Sequence, residues 1–317
     1  MNAPTRHGLN VTVAARTLIA RDVLLLDFEL SDGTPLPGWS PGAHIDLYLP
    51  GCTRQYSLCG DPLDRSRYQV AVLRQADGRG GSEYVHANLS PGTTLSISRP
   101  RNHFPLVDAS SYVFIAGGIG ITPIRAMIRE CERNEKPWEL HYGGRSLDSM
   151  AFADELASLD SRVEIVPQDE RGLLRLDEIV DQGPDDGVVY CCGPEPLLVA
   201  IEDVMAERHG RELHVERFAP SVPKHLPDDA GVEVFCEESQ VTVHVGTQET
   251  ILDALIAAGI DVNFDCREGT CGTCELEVIE GTPDHRDVIL SRTERETAQI
   301  FYPCVSRAQS RRIVLDV

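Results

Sequence analysis

Four cysteines late in the chain have a spacing that suits an iron–sulfur cluster. Cys266, Cys271 and Cys274 are separated by four and two residues, and 29 residues separate Cys274 from Cys304. This is the plant-type [2Fe–2S] spacing, in which four thiolates hold two irons. A tetrathiolate zinc site is the alternative, although such sites normally use two closely spaced cysteine pairs. The spacing therefore favours one-electron transfer chemistry in this part of the chain.

A glycine-rich string between a predicted strand and a predicted helix is a candidate nucleotide site. It reads Gly117-Gly118-Ile119-Gly120-Ile121-Thr122-Pro123, and the N–H groups of such a turn can meet a pyrophosphate at the helix N-terminus. Thr122 is expected to cap this helix, with Pro123 at its first position. Because Pro123 replaces the third glycine of G-x-G-x-x-G, an ordinary turn of an α/β fold remains the alternative.

A second strand end lies in the same region, at Tyr190-Cys191-Cys192-Gly193-Pro194. Open α/β sheets bind ligands outside the carboxyl ends of their strands, where both strings fall. Between the two strings, Arg145 and Ser146 could receive the 2′-phosphate of NADPH, whereas Asp148 could bond a ribose hydroxyl. These residues alone leave the choice between NADH and NADPH open.

Two strings in the first hundred residues are candidates for holding another phosphate. Arg54-Gln55-Tyr56-Ser57-Leu58 presents a cation, an aromatic ring and a hydroxyl along one predicted strand. Gly80-Gly81-Ser82 precedes a predicted helix at residues 83–89, which Ser82 is expected to cap while the first N–H groups receive a phosphate. Taken singly, the first string is also compatible with an ordinary strand.

The elements that carry these residues change in type along the chain. Short apolar runs between turn residues indicate an antiparallel barrel or sandwich, with strands at residues 10–17, 23–30, 44–49, 68–73 and 94–98. From residue 112, strands alternate with helices, which predicts a parallel sheet with right-handed crossovers. Its strands are expected at residues 113–116, 139–142, 162–166 and 188–191, and its helices at residues 123–134, 149–158 and 177–180.

A stretch with three prolines, residues 219–229, separates this region from the cysteine-rich one and is typical of a linker. After it, strands are expected at residues 232–236 and 241–245, and a helix at residues 251–258. Thr250 and Asp253 have roughly the spacing of a capping box for that helix. The predicted order of modules is therefore β, α/β and α+β.

Composition and charge limit the classes of function. The 317 residues are 42% hydrophobic and 25% charged, which is ordinary for globular domains. No apolar run approaches the ~18 residues that span a membrane. The net charge of −21 is the sum of +1 for residues 1–104, −11 for residues 105–224 and −11 for residues 225–317. No basic stripe for nucleic acid is present, and the acidic charge indicates either solubility or a docking face for a protein.

The N-terminal residues lack the apolar core of a signal peptide. In the reducing compartment that this implies, the ten cysteines are expected to be thiols or metal ligands rather than disulfides. We therefore expect a cytoplasmic protein.

Taken in order, these strings resemble the phthalate dioxygenase reductase family, which includes the vanillate O-demethylase reductases. The resemblance rests on the strings quoted above together with Glu216-Arg217-Phe218, and it covers nearly the whole chain. It implies an antiparallel flavin-binding barrel (residues 1–104), a parallel-sheet nicotinamide domain (105–222), a linker (223–230) and a β-grasp plant-type ferredoxin domain (231–317). It also implies FMN rather than FAD, a [2Fe–2S] cluster, and NADH as the electron donor.

The resemblance assigns roles to individual residues. Arg54 and the Gly80-Gly81-Ser82 turn would hold the FMN phosphate, and Tyr56 and Ser57 would flank the isoalloxazine. Phe218 would cover the flavin ring until nicotinamide displaces it, unless it is a core residue at a strand end. The expected catalytic residues are Ser57, Cys192 and Phe218. The expected cofactor-binding residues are Arg54, Tyr56, Ser57, Gly80, Gly81, Ser82, Gly117, Gly118, Gly120, Thr122, Pro123, Arg145, Asp148, Cys192, Gly193, Pro194 and Phe218, and the metal ligands are Cys266, Cys271, Cys274 and Cys304.

These cofactors together imply a path for electrons. NADH delivers an electron pair as hydride, a [2Fe–2S] cluster accepts one electron at a time, and a flavin can take the pair and release single electrons. No cysteine is followed by a histidine two or three residues later, so the chain lacks the ligand pairs of a Rieske centre. The expected acceptor is a separate Rieske-type terminal oxygenase acting on an aromatic or similar small compound, docked on the acidic ferredoxin domain.

Two alternative functions remain at this point. One is a reductase for another acceptor, such as a cytochrome or a diiron monooxygenase. The other is a zinc-stabilised binding module with a degenerate nucleotide fold.

Overall fold

The computed structural model describes residues 8–75, 78, 80–159, 162–184, 186–208, 211–218, 226, 229–290 and 292–317. The chain divides into two compact units, a larger unit, Met1–Glu216, and a smaller unit, Arg217–Val317. Most of the expected linker, residues 219–225, 227 and 228, lies outside the described residues. Within the described ranges, no helix is long and apolar enough to cross a membrane.

Six antiparallel strands form the first sheet of the larger unit. They are β1 (Leu9–Ala20), β2 (Val23–Leu30), β3 (His44–Leu49), β4 (Cys52–Ser57), β5 (Tyr68–Leu73) and β6 (Thr94–Ile97). The strands pair in the order β4-β3-β6-β1-β2-β5, and a bridge between Leu58 and Val70 joins the end of β4 to β5. Alternate apolar side chains from these strands fill the interior. The antiparallel barrel expected from the sequence is confirmed.

Five parallel strands form the second sheet of the larger unit. They are β7 (Tyr112–Gly117), β8 (Trp138–Gly144), β9 (Val163–Pro167), β10 (Val188–Cys192) and β11 (Leu213–Glu216). The strand order is β11-β10-β7-β8-β9, so the direction of winding reverses between β7 and β10. Every residue of these two strands is buried, which explains why each reads as a continuous apolar run.

The helices of the larger unit connect these strands. One follows the barrel strand β5, and the others follow strands of the parallel sheet: α1 (Gly81–Asn88), α2 (Ile121–Arg133), α3 (Ala153–Ala157), α4 (Gln168–Arg171), α5 (Leu176–Gln182) and α6 (Glu195–Ala206). The expected helix at residues 149–158 is shorter than predicted. A 3₁₀ turn at Leu147–Ser149 precedes it, and Phe152 has a left-handed φ of 61°, so α3 starts only at Ala153.

The predicted start of α2 is wrong. The helix begins at Ile121, directly after a 3₁₀ turn at Gly118–Gly120, so Thr122 and Pro123 are its second and third residues. The Thr122 hydroxyl donates to the carbonyl of Ile119 at 2.9 Å and caps no N–H group. Pro123 is tolerated there because N–H groups of the first turn have no partner within the helix.

The predicted cap of α1 is also wrong. The helix begins at Gly81, and Gly80 precedes it with a left-handed φ of 78°. Ser82 is therefore inside the first turn, where its hydroxyl accepts the N–H of Gln75 at 3.1 Å. A glycine is required at Gly80 because L side chains strain that conformation.

One hydrophobic cluster of the larger unit contains residues from both the barrel and the parallel sheet, so the two sheets pack against each other. A buried arginine on α2 reinforces the contact. Arg125 is 6% exposed, donates to both carboxylate oxygens of Glu155 at 2.9 Å, and reaches the carbonyl of Cys59 after β4. The carboxylate and the carbonyl together satisfy the buried guanidinium, so these contacts hold the barrel against the parallel sheet.

The smaller unit has a mixed sheet with one helix packed on it. Its elements in chain order are β12 (Val232–Cys236), β13 (Val241–Val245), α7 (Ile251–Ala257), β14 (Leu276–Glu280), β15 (Pro283–Asp284), α8 (Arg292–Thr297), β16 (Ile300–Phe301), β17 (Arg307–Ala308) and β18 (Arg312–Leu315). The sheet order is β13-β12-β18-β14-β16, with β12 and β18 parallel, and β15 pairs with β17. Thr250 caps α7 by accepting the N–H of Asp253 at 3.1 Å, as the spacing predicts.

Candidate functional site

The four cysteines of the expected cluster come together in the smaller unit. Cys266, Cys271 and Cys274 occupy the loop between α7 and β14, and Cys304 follows β16. Hydrogen-bond contacts between sulfurs join Cys266 to Cys271 and Cys304, and Cys274 to Cys304. Cys271, Cys274 and Cys304 are at most 3% exposed. Thiolates are the ligands that iron–sulfur clusters use, so these four cysteines fit such a cluster.

The backbone of the cysteine loop is arranged for anionic sulfur. The N–H of Glu268 donates to Cys266 Sγ at 3.3 Å, and the N–H of Cys266 donates to Cys271 Sγ at 3.5 Å. Gly269 has a φ of 69°, and a Cβ there would lie 2.6 Å from a methyl of Val305. The glycine is needed for this close approach, and the N–H donors fit the thiolate ligands of a [2Fe–2S] cluster.

Arg267 is a further residue of this loop, one that the sequence reasoning did not single out. Its φ of 57° is left-handed, which is uncommon for an arginine. Its guanidinium pairs with Asp253 at 2.7 Å and stacks 4.4 Å above the ring of Phe264. These two contacts hold the cysteine loop against the start of α7 and compensate for the backbone strain.

In the larger unit, the barrel forms a cationic cradle at the start of α1. A Cβ on Gly81 would lie 2.5 Å from both Cγ and Nε of Arg54, so this arginine, on β4, lies directly against the first turn of α1. Arg54 also donates to the carbonyl of Thr53 at 2.8 Å. A guanidinium beside the first-turn N–H groups of a helix suits a phosphate, so these residues fit the phosphate end of FMN.

Two further candidate residues on the same strand, Tyr56 and Ser57, differ in burial. Tyr56 packs against the barrel core, and burial raises the pKa of its phenol, which stays protonated at neutral pH. Ser57 ends β4, is 6% exposed and pairs with His44 of β3. Both residues are therefore held by the barrel rather than by a loop.

The turns that follow β7 and β10 pack against each other. A Cβ on Gly117 would lie 2.6 Å from Cδ of Pro194, and one on Gly120 would lie 2.2 Å from the carbonyl of Cys192. These glycines are required for the contact between the two turns. Gly118, with a φ of 53° and nothing within 4 Å of a Cβ position, borders open space. The strand order reverses at this point, which is where such sheets bind nucleotides.

Cys192, at the end of β10, has a half-buried acidic neighbour. Its Sγ lies 3.8 Å from Oε2 of Glu216, which ends the adjacent strand β11 in register. Gly193 follows and packs onto the Cα of Gly117. Burial raises the pKa of Glu216 to about 8 and raises the pKa of the Cys192 thiol well above its usual value. The sequence assigned no role to Glu216, because only the strand pairing shows that it meets Cys192.

Glu216→Gln is expected to flatten the pH dependence of stability. Since the pKa is 4.5 in the unfolded chain and about 8 in the fold, the protonated carboxyl stabilises the fold fully below pH 4.5. This stabilisation is lost as the pH rises to about 8, by at most about 1.4 kcal/mol per pH unit. Urea unfolding between pH 5 and 8 measures the slope.

The matched control for this variant is Glu207→Gln, because Glu207 is an exposed glutamate that follows α6. It should retain the wild-type slope. A Glu216→Gln variant with the same pH slope as Glu207→Gln would show that Glu216 ionises normally.

In the loop after β8, the two candidate nucleotide-binding residues differ in whether their side chains have partners. Asp148 pairs with Arg21 at 3.0 Å and accepts the Ser146 hydroxyl at 2.6 Å, and Arg21 also donates to Ser146 at 2.9 Å. Arg145 is exposed, and its guanidinium has no hydrogen-bond or ion-pair partner in the part of the chain that the structure describes. The carboxylate expected to meet ribose is thus engaged by a barrel arginine.

Phe218 falls in the smaller unit, at its start, and is 44% exposed. This exposure argues against a core residue at a strand end.

Comparison with known proteins identifies the family of the chain. Residues 114–203 match the oxidoreductase NAD-binding domain, and residues 234–309 match the 2Fe-2S iron-sulfur cluster binding domain. The chain is 33% identical to a solved phthalate dioxygenase reductase, with a TM-score of 0.72 and 98% of both chains covered. It is 40% identical to the phenoxybenzoate dioxygenase subunit beta of Ectopseudomonas oleovorans, over 99% of each chain. The chain belongs to the phthalate dioxygenase reductase family.

The reductase is an NADH-dependent flavin iron–sulfur oxidoreductase, and it is the electron-transfer component of an oxygenase system. Its cofactors are FMN and a [2Fe–2S] cluster. The family, the fold class and the cofactors predicted from the sequence are confirmed. The zinc-stabilised binding module is excluded.

The reductase is also similar to part of an intact type IV self-sufficient cytochrome P450 monooxygenase. The identity is 41% and the TM-score 0.90, with 100% of the reductase and 43% of that longer chain covered. The reductase therefore spans less than half of that protein.

Proposed function

We propose that the reductase takes hydride from NADH and delivers single electrons to a separate Rieske-type terminal oxygenase, which acts on an aromatic or similar small compound. The proposal rests on one observation, which is that two kinds of site are present in the same chain. The larger unit has two phosphate-type turns, and the smaller unit has a four-cysteine loop. Bound FMN supplies the conversion between electron pairs and single electrons.

The proposed modules are a barrel at residues 1–104, a nicotinamide domain at 105–222, a linker at 223–230 and a ferredoxin domain at 231–317. We place the protein in the cytoplasm. In support, none of the ten cysteines, all of which lie in the described residues, forms a disulfide, as expected in a reducing compartment.

The barrel residues are proposed to hold FMN. Arg54 and the first turn of α1, from Gly80 to Ser82, bind the phosphate, and the contact between Arg54 and Gly81 supports this assignment. Tyr56 and Ser57 flank the isoalloxazine, held in place by the barrel on which they lie. Phe218 is proposed to cover the ring until nicotinamide replaces it, which is the role that the family resemblance gives it.

The turns of the parallel sheet are proposed to hold NADH. Gly117, Gly118, Gly120, Thr122 and Pro123 form the pyrophosphate turn, and the open space beside Gly118 supports this. Cys192, Gly193 and Pro194 lie beside the nicotinamide, with Glu216 behind the thiol. Arg145 and Asp148 contact the adenosine ribose. Because Arg21 already neutralises Asp148, its hydroxyl recognition would be weaker than that of a free carboxylate.

The smaller unit is proposed to hold the cluster on Cys266, Cys271, Cys274 and Cys304 and to dock on the oxygenase. Its acidic character supports the docking role, since residues 225–317 carry a net charge of −11. Exposed acids Glu275, Glu277 and Glu280 start just after the cysteine loop. Complementary charge would steer the encounter with a basic patch on the partner, and salt would slow it.

Reconstitution with purified oxygenases tests the acceptor. The reductase and NADH are expected to drive product formation by a Rieske-type oxygenase, with a rate that falls as ionic strength rises. The similarity to a cytochrome P450 fusion makes a cytochrome the second candidate acceptor. Coupled turnover with a cytochrome P450 or a diiron monooxygenase, and none with any Rieske-type oxygenase, would contradict the proposal.

A further inference from the structure

The cysteine loop contains a hydrogen-bond relay that the electron path described above does not use. The sulfur of Cys271 lies 3.3 Å from Oγ1 of Thr273. The same hydroxyl donates to Oδ2 of Asp265 at 3.1 Å. Cys271 is 2% exposed, and both partners are partly buried. Thr273 therefore links a proposed cluster ligand, Cys271, to the carboxylate of Asp265.

The single proton of the Thr273 hydroxyl can serve only one acceptor. A metal-bound Cys271 is a thiolate without a proton, so its sulfur and the Asp265 carboxylate compete for the hydroxyl. Hydrogen bonds to an ionised carboxylate are among the strongest in proteins, and the hydroxyl already donates to Asp265. The Thr273 hydroxyl is thereby drawn away from the Cys271 sulfur, which keeps the N–H of Cys266 as a donor, and the negative charge of Asp265 lies on the far side of that hydroxyl.

A second threonine in the loop provides the contrast. The hydroxyl and the N–H of Thr270 both contact the sulfur of Cys266, which also receives the N–H of Glu268 at 3.3 Å. Thr270 is therefore a direct donor to a ligand sulfur, whereas Thr273 is diverted by Asp265. Comparing variants of the two threonines therefore distinguishes the effect of Asp265 on Thr273 from the effect of removing a hydroxyl.

We propose that Asp265, acting through Thr273, lowers the reduction potential of the cluster. Potentials of iron–sulfur clusters rise with hydrogen bonds to sulfur and fall with added negative charge. Asp265 contributes to both effects in the same direction. It is a positioning residue, because it acts on the sulfur through the threonine. The inference rests on the proposed ligation of the cluster by Cys271.

The test is the midpoint potential of the cluster in the holoenzyme, followed by electron paramagnetic resonance during a reductive titration. Asp265→Asn is expected to raise the potential by about 59 mV, a tenfold change in the one-electron equilibrium constant. Asp265→Glu, which keeps the charge, should return the potential towards the wild-type value. Thr270→Val should shift the potential in the opposite direction, because a direct donor to sulfur is lost.

A double-mutant cycle decides whether Thr273 transmits the effect. In a Thr273→Val background, Asp265→Asn should raise the potential by less than it does in the wild type, since no hydroxyl remains to turn towards the sulfur. An unchanged potential in Asp265→Asn, or an equal shift in both backgrounds, overturns the inference.

Iron content and the resonance signal of each variant separate this result from a failure of the proposed function. If Cys271→Ser retains the wild-type [2Fe–2S] signal, the ligand assignment fails and the relay fails with it. If Cys271→Ser loses the signal while Asp265→Asn keeps both the cluster and the wild-type potential, only the relay fails.

Discussion

Cys304→Ser abolishes the cluster while NADH still bleaches the flavin. Cys304 is the one expected ligand outside the cysteine loop, and its sulfur contacts both Cys266 and Cys274. A serine hydroxyl is a poor replacement for a soft thiolate ligand. We expect iron and the reduced-cluster resonance to fall to background. Electron delivery to a one-electron acceptor such as cytochrome c should fall by about 100-fold, because the loss of a ligand removes the one-electron carrier.

The matched control is Cys236→Ala, another buried cysteine of the smaller unit. Cys236 is on β12, is fully buried and pairs with Leu315, apart from the ligand set. Its loss should lower stability by about 1 kcal/mol and leave the iron content unchanged. A full resonance signal in Cys304→Ser would mean that the fourth ligand is a different residue.

Arg54→Ala weakens the binding of FMN by about 10- to 100-fold. A hydrogen bond to a charged group contributes about 1.5–3 kcal/mol, and each 1.4 kcal/mol is tenfold in affinity. The remaining affinity comes from the N–H groups of α1 and from the ring pocket. The measurement is a fluorescence titration of the flavin-free protein with FMN. Arg54→Lys should recover only part of the loss, because lysine lacks the bidentate geometry.

Arg67→Ala is the control, because it removes an arginine that precedes β5 and lies outside the proposed phosphate site. Arg67 pairs with Asp27 and Asp64 at 3.2 and 3.1 Å, and its side chain is 48% exposed. FMN affinity should be unchanged in that variant. Equal affinities for Arg54→Ala and the wild type would return Arg54 to the role of an ordinary strand residue.

Much of the fold and of the cluster site could be predicted from the spacing of residues close together in the sequence. The 4, 2 and 29 residues between the cysteines indicate a cluster without any tertiary information. The fully apolar runs of β7 and β10 are predictable for the same reason, since strands buried on both faces have no polar side. The start of α2 could not be predicted in this way. The helix begins at Ile121 rather than after Thr122, because the 3₁₀ turn at Gly118–Gly120 leads directly into it.

Contacts between residues far apart in the chain could not be predicted from the sequence. Arg21 and Asp148 are 127 positions apart, and only the packing of the barrel on the parallel sheet brings them together. Glu216 meets Cys192 because β10 and β11 pair in register. A single sequence shows neither contact, because strand pairing and domain packing are decided by the whole core rather than by neighbouring residues.

An anaerobic titration with NADH tests the proposed electron path most directly. The reductase is followed by visible absorbance and by electron paramagnetic resonance as NADH is added in small steps. The account predicts bleaching of the flavin and iron–sulfur bands together with the resonance of a reduced [2Fe–2S] cluster. Flavin bleaching with an oxidised, intact cluster at excess NADH would contradict it, because electrons would then stop before the smaller unit.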